Sequence, residues 1–275
     1  MAASVSHYTL YNLQLSHLNM DFSHSLAVYS CPLINPPSQR HNFLNKVHNI
    51  ELAIGRMQGL VLHPGQEFDF WALALAPTIE NGYREGAMFV NHRVSASIGG
   101  GLCQLSGVVY NLALLSGCTI TERFNHSIDA YGEDRYIPLG RDATVAYGYK
   151  NLRFRNPHSD PIRLDLRVTE QEASGCIVGT GSMPDTITIR TETLAVLPSP
   201  RRWRHDRSLE RAAERIEPGL TGKLVKAWRI RHHPDGHETS EFLAQDHYHA
   251  TPTLVIKRRA WPIAAMCELG RLARI

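Results

Sequence analysis

Residues 97–117 read SIGGGLCQLSGVVYNLALLSG, three consecutive glycines running straight into a long apolar segment. Glycine opens backbone regions that are closed to other residues, at an entropic cost that an ordinary loop has little reason to carry. Gly99, Gly100 and Gly101 therefore mark a point where something must come close. Beyond them Leu105, Val108, Val109, Leu112 and Leu115 recur at helical spacing, and Gly117 stands where such a helix is stopped. The pattern predicts a helix with Cys103 in its first turn.

On either side the hydrophobic period changes. Phe43, Val47, Ile50, Ile54 and Met57 form one face of an amphipathic helix from Asn42, ended by Gly59. A short strand at Leu60–Leu62, a turn at HPGQ and an alternating EFDFW follow. Beyond Asp142 the period becomes two: TVAYGY, LRFRN and PIRLDLRV alternate, NPHSDP reads as a hairpin turn, and DTITIRTETLAV adds another strand. The expected fold class is α+β, two or more helices packed on a mainly antiparallel sheet, with a small C-terminal β unit docked on it. The expected division is an irregular lead-in over 1–40, an α+β core over 41–197, a charged helical linker over 198–217, a small β unit over 218–258 and a tail over 259–275. Within the β unit, Trp228 and Ile230 alternate with Arg229 and Arg231 and read as a sheet packing face.

Composition removes several function classes. A net charge of +3 is too weak to indicate nucleic-acid binding without a concentrated patch, and the basic stretch 198–218 lacks interleaved aromatics, so no nucleic-acid partner is expected. No run of about 18 apolar residues exists, so no integral membrane span is expected. The start has no basic segment followed by an apolar core, which taken literally predicts a cytoplasmic chain. The five cysteines, Cys31, Cys103, Cys118, Cys176 and Cys267, are scattered without a C-x-x-C pair and read as reduced thiols. His247 and His249 share one strand face, but without cysteines or regular spacing no metal site is expected, and no cofactor. GGGLCQLS also lacks the ending of a phosphate-binding loop and the spacing of a dinucleotide fingerprint.

Chemistry gathers at the glycines. The first amides of a helix lack intrahelical partners and the dipole adds positive potential, so a thiol in that turn is a candidate low-pKa nucleophile. The same amides can hold the oxyanion formed when a thiolate attacks a carbonyl. The plainer reading is an inert buried cysteine beside a tight turn. A nucleophilic thiol needs a base, and the base needs an orienting group. His126 in TERFNHSID follows a segment able to run back along the helix, and Asp142 in PLGRDATV opens the next strand. Arg141 is suited to binding a substrate carboxylate.

GGGLCQLSGVVYNLALLSG, TERFNHS and PLGRDATVAYG followed by LRFRNPHSDPIRL, in that order, resemble the VanW family, over about residues 45–170. That family is named for an accessory protein of glycopeptide-resistance gene clusters. Segments like 218–257 commonly follow its domain. Some envelope proteins with this domain act as L,D-transpeptidases through the cysteine of the glycine-rich motif. The resemblance thus implies Cys103 as nucleophile, His126 as base and Asp142 as motif acid. Gln104, Ser106, Ser127 and Arg141 match further motif positions and, with Gly99, Gly100 and Gly101 admitting a peptide backbone, are expected to contact substrate. The expected function is cysteine-dependent acyl transfer on a peptide or muropeptide substrate, to an amine or to water. The alternative is a non-catalytic module binding muropeptides or glycopeptides. The resemblance also implies an envelope location, against the cytoplasmic reading of the N-terminus.

Overall fold

A computed structural model describes residues 20–33, 40–90, 93–132, 135–206, 208 and 214–257. The fold is mixed α+β, with few helices and mostly antiparallel sheets. Residues 20–126, 130–194 and 225–246 cluster as the larger of two units. The described residues of the smaller are 127–129, 195–224 and 247–257.

The larger unit is organised by a four-stranded antiparallel sheet. Its strands are β1 (His24–Pro32), β2 (Leu60–Leu62), β8 (Ile162–Val168) and β9 (Glu172–Gly179), in the order β1-β9-β8-β2. In β8 the period-two reading holds: Ile162, Leu164 and Leu166 are buried and the residues between them are not. In the lead-in over 1–40, expected to be irregular or short-stranded, β1 is a nine-residue strand. Its residues alternate weakly in hydrophobicity, yet Ser25 to Pro32 pair along β9, and Ala27 and Cys31 turn into the core. Residues 1–19 lie outside the described part of the chain.

Helix α1 (Arg40–Met57) buries Phe43, Lys46, Asn49, Ile50, Ala53, Ile54 and Met57 along one stripe. Each large apolar side chain removed from water there contributes about 1.5–3 kcal/mol. Helix α3 (Leu102–Leu115) is covered on nearly every side, Gln104, Ser106 and Asn111 included, rather than along a single stripe. It ends as its sequence indicates. Gly117 has φ 77°, its N–H donates to the Leu114 carbonyl at 3.3 Å, and the Cys118 N–H donates to Ala113 at 3.0 Å.

Strand β3 (Glu67–Asp69) occupies only part of EFDFW. Asp69 Oδ1 then accepts the Ala72 N–H at 3.0 Å and caps the short helix α2 (Phe70–Ala74). β3 joins β6 (Thr119–Glu122) and β7 (Arg153–Arg155) in a second antiparallel sheet, ordered β3-β7-β6, with Phe68 stacked on Phe154. β4 (Glu85–Val90) and β5 (Arg93–Ile98) form a hairpin leading into the glycines.

Four further expectations fail for local reasons. TVAYGY is not a strand: the Ala146 carbonyl accepts from both Tyr149 and Lys150, and Gly148 takes φ 72°, so the segment turns and exposes Tyr147 and Tyr149. NPHSDP is not a hairpin turn, because β7 and β8 belong to different sheets. Asn156 locks the crossing, donating to Leu62 O and Asp160 O at 2.9 Å each. The linker 198–217 is not helical where described. It contains β11 (Arg201–His205) and β12 (Glu214–Glu217), which flank β15 (Thr253–Lys257). Mixed charge suits a solvated strand as well as a solvated helix, and here Lys257 pairs with Glu214 and lies over the Trp203 ring. The unit expected over 218–258 is divided, because residues 225–246 cluster with the larger unit. They carry most of β13 (Gly222–His232) and β14 (Glu238–Tyr248), which pair with β10 (Thr186–Leu197) in the order β10-β13-β14.

On β13 the expected packing face is met in part: Ile230 is buried, Trp228 only half-buried, and the opposite face is buried as well. Val225, Ala227 and Arg229 are buried, and Arg229 donates to Cys118 O at 2.8 Å and pairs with Glu241. The tail 259–275, with Cys267, lies outside the described residues. Among the described residues no helix is long and apolar enough to cross a membrane.

Candidate active site

The glycine run is shaped by the protein's own packing. A Cβ on Gly100 would collide with Gly86 O, one on Gly99 would meet Pro77 Cβ at 2.6 Å, and one on Gly101 would meet Lys46 Cγ at 2.8 Å. Gly99 and Gly101 also have φ of 79° and 109°. Asn49 of α1 clamps the turn: it donates to Gly100 O at 3.0 Å and Arg84 O at 2.9 Å, and accepts the Arg84 N–H at 2.8 Å. The close approach demanded by three glycines is thus made by the hairpin and by α1, which corrects the expectation that their bare faces receive substrate.

Gly101 is the N-cap of α3 and Cys103 its second residue. Gln104 and Leu105 both donate to Gly101 O, and Leu102 to Gly99 O. Among the described residues the Cys103 amide has no backbone acceptor. Its thiol lies 3.4 Å from Thr144 Oγ1 and 3.5 Å from Val145 O.

Helix α3 also places the acid. Asn111 donates to Arg141 O at 2.9 Å and Ser106 donates to Ala143 O at 2.7 Å, so Asp142 is held between two clamps from the helix that carries Cys103. Asp142 Oδ2 accepts the backbone N–H of His126 at 2.8 Å and lies 2.7 Å from its ring Nδ1. Paired this way, Nδ1 carries the proton and Nε2 is the nitrogen left for the thiol. Arg123 backs the arrangement. Its Nε donates to Asp142 O at 2.7 Å, Nη2 reaches Oδ1 at 3.2 Å, and Nη1 pairs with Asp246 at 2.6 Å over the Tyr110 ring.

The electrostatics follow from these contacts. Burial opposes ionisation of the Cys103 thiol, but the nearby His126 ring, with help from Thr144 and Val145, outweighs it and brings the thiol down to about 7. Burial also disfavours a charged His126, yet Asp142 and the thiol hold the ring well above its usual value. Its side chain is 40% exposed, so one edge remains open to solvent. Asp142, 11% exposed, would be raised by burial but is held at about 2 by His126 and Arg123. The lowered thiol and the raised imidazole both act in favour of a thiolate–imidazolium pair. Cys31 and Cys118, buried without such a partner, are pushed up to about 11.

The other expected contact residues do not join this cluster. Gln104, 2% exposed, donates inward to Cys31 Sγ and Pro32 O. Ser106 is buried on Ala143. Arg141 directs Nε at Asn111 Oδ1 at 2.8 Å and lies over the Tyr29 ring. Ser127 is exposed and belongs to the smaller unit, where its carbonyl accepts from His249 at 2.7 Å. The His247 and His249 rings lie 4.2 Å apart, and among the described residues no three metal-binding side chains come together.

Sequence reasoning missed Asn49, Asn111, Arg123 and Thr144. The last two sit inside the TERFNHS and PLGRDATVAYG motifs and were within reach of a residue-by-residue inspection. Asn111 and Asn49 are polar residues on buried helix faces, a signal of unmet backbone groups nearby.

The chain is 29% identical over 155 residues to an uncharacterized protein of Bacillus subtilis, YoaR, covering 56% of this chain and 48% of that protein. It is 33% identical over 113 residues to the vancomycin B-type resistance protein VanW of Enterococcus faecalis, covering 41% of each. The chain thus spans less than half the length of these curated relatives. Among solved structures it is similar to an IgA1 protease G5 domain (19% identity, 28% of this chain, 94% of that one, TM-score 0.21). It is also similar to the G5 domain of HP0197 (21% identity, 26% of this chain, 96% of that one, TM-score 0.17). At such TM-scores the likeness establishes nothing about this chain. Residues 45–178, which hold the whole cluster around Cys103, match the family model described as VanW like protein, and by this domain the chain belongs to the VanW-like family.

Proposed function

We propose that the chain is a cysteine-dependent acyl-transfer enzyme acting on peptidoglycan-type peptides, in the manner of an L,D-transpeptidase. The observation that carries this reading is the Asp142–His126 pair at 2.7 Å, together with a thiol at a helix start whose ionisation His126 favours. The Cys103 thiolate attacks an amide carbonyl, and the Cys103 amide at the start of α3 is oriented to hold the oxyanion. The C–N bond then breaks, His126 gives its proton to the departing amine, and a thioester forms on Cys103. An incoming amine attacks the thioester and yields a proton to His126. A new amide leaves, and the thiolate–imidazolium pair is restored. Water in place of the amine gives hydrolysis.

The wall-peptide substrate is supported by family membership and by a relative named for vancomycin resistance. A substrate of this kind places the activity at the envelope. The test is incubation of the protein with peptidoglycan tetrapeptides, followed by intact mass spectrometry. The expected result is an acyl adduct on Cys103 and a trimmed or cross-linked product, both lost in Cys103→Ala. Binding of the same peptides by Cys103→Ser, with no adduct or product from the wild type, would replace this reading with that of a binding module.

A further inference from the structure

The mechanism leaves one buried cation unused. Lys46 lies on the inner stripe of α1 and is 9% exposed, and among the described residues it has neither a hydrogen bond nor an ion pair. The group that acts on its charge is the Cys31 thiol, which burial keeps protonated. Burial pulls the Lys46 ammonium down to about 8, the mark of a charge left without an anion. Lysine is almost never so buried unless paired, because an unpaired charge away from water is costly.

Its position suggests what the missing anion is for. The Lys46 stem crosses Gly101, the N-cap of α3, two residues before Cys103. The helix start adds positive potential to that of the ammonium. Gln104, the third residue of α3, donates Nε2 to Cys31 Sγ and Pro32 O, beside the thiol that acts on Lys46. The hydroxyls of Tyr131 and Tyr136 lie 3.3 Å apart, and both rings are within electrostatic reach of Cys31 and Cys103. Cys31, the thiol that acts on Lys46, and Cys103 are thus both within reach of one tyrosine pair.

We propose that Lys46 and the first turn of α3 form a carboxylate-binding subsite, which selects acyl-donor peptides carrying a free carboxylate close to the carbonyl attacked by Cys103. The inference rests on the acyl-transfer reading for its substrate class, although binding at the subsite needs no turnover. In a wall-type peptide the carboxylate comes either from the C-terminus or from an internal acidic residue. Lys46 acts as a specificity residue and takes no part in proton transfer.

The test is calorimetric binding to the full chain carrying Cys103→Ser, which removes turnover. The probes are a peptidoglycan tetrapeptide as free acid, the same peptide with only its C-terminus amidated, and the same peptide with only its internal carboxylates amidated. The free acid is expected to bind at least tenfold more tightly than one of the amidated forms, and that form identifies the carboxylate. Lys46→Gln abolishes the difference and Lys46→Arg retains it. Lys46→Gln is also expected to melt no lower than its parent, because it removes a desolvated charge. Equal binding of all three peptides, no binding of the free acid, or discrimination that survives in Lys46→Gln overturns the proposal. A wild-type protein that discriminates among the peptides without forming a Cys103 adduct refutes acyl transfer and leaves the subsite standing.

Discussion

Replacing His126 by alanine removes the group that offsets burial of the Cys103 thiol, and the size of the effect can be worked from the thiols of this fold. With His126 present, Cys103 is brought down to about 7, so about half is thiolate at pH 7. Without it, burial acts against only Thr144 and Val145, and the value is expected between the ordinary 9.0 and the roughly 11 of Cys31 and Cys118. A rise of two units leaves about 1% thiolate at pH 7, roughly a fiftyfold loss. A more basic thiolate is also a better nucleophile, by about tenfold for two units at a Brønsted slope near 0.5. The net fall in alkylation rate at pH 7 is therefore only about fivefold, and the diagnostic quantity is the inflection of the pH–rate profile. Iodoacetamide labelling from pH 5 to pH 10, resolved by peptide mapping, reads Cys103 beside Cys31 and Cys118 as internal standards. The wild-type Cys103 profile is expected to level off above about pH 7, and that of His126→Ala to shift upward by about two units or more. A wild-type inflection near 9, or one that does not move on removal of His126, refutes the argument that His126 activates this thiol.

Asp142→Asn tests the acid through stability. The carboxylate is held at about 2 in the fold against 3.8 in the free residue, so its stabilisation is present above pH 4 and is lost as pH falls through 2. The wild type is expected to exceed the variant by about 2 kcal/mol near pH 7 and by about half of that at pH 3, measured by urea denaturation. A gap independent of pH would contradict the ionised Asp142. Arg123→Met leaves Asp142 and Asp246 without their shared cation and is expected to cost about 3–5 kcal/mol in the same assay. Gly100→Ala forces a methyl group against the Gly86 carbonyl and is expected to cost about 3 kcal/mol and to blunt Cys103 labelling, because the helix start must shift. A Gly100→Ala protein with unchanged melting and labelling would show that the glycines are not there for packing.

Much of this architecture was legible from local pattern. The helices over Arg40–Met57 and Leu102–Leu115, the stop at Gly117 and the buried alternation of Ile162, Leu164 and Leu166 follow from side-chain period and glycine conformation, which act over a few residues. Strand pairing was not legible in the same way. PIRLDLRV and LRFRN look like neighbours in a hairpin, yet they join different sheets, and Asn156 ties the crossing to Leu62 of β2 and to Asp160 of its own loop. Strand β1 alternates too weakly to stand out, and it is held by its partner β9.

The site divides along the same line. By itself the sequence determined the parts: a cysteine at a helix start, a histidine and an aspartate in motifs beyond that helix, and glycines that force a close approach. Only the tertiary structure decided what approaches what. The glycines receive Gly86, Pro77 and Lys46, Gln104 and Ser106 turn inward, and Asn111 and Ser106 hold Asp142 where it meets His126 at 2.7 Å. The physical reason is that helical period and glycine φ are short-range terms, whereas the ionisation of Cys103 and the isolation of Lys46 depend on burial and on groups 15 to 42 positions away in the chain.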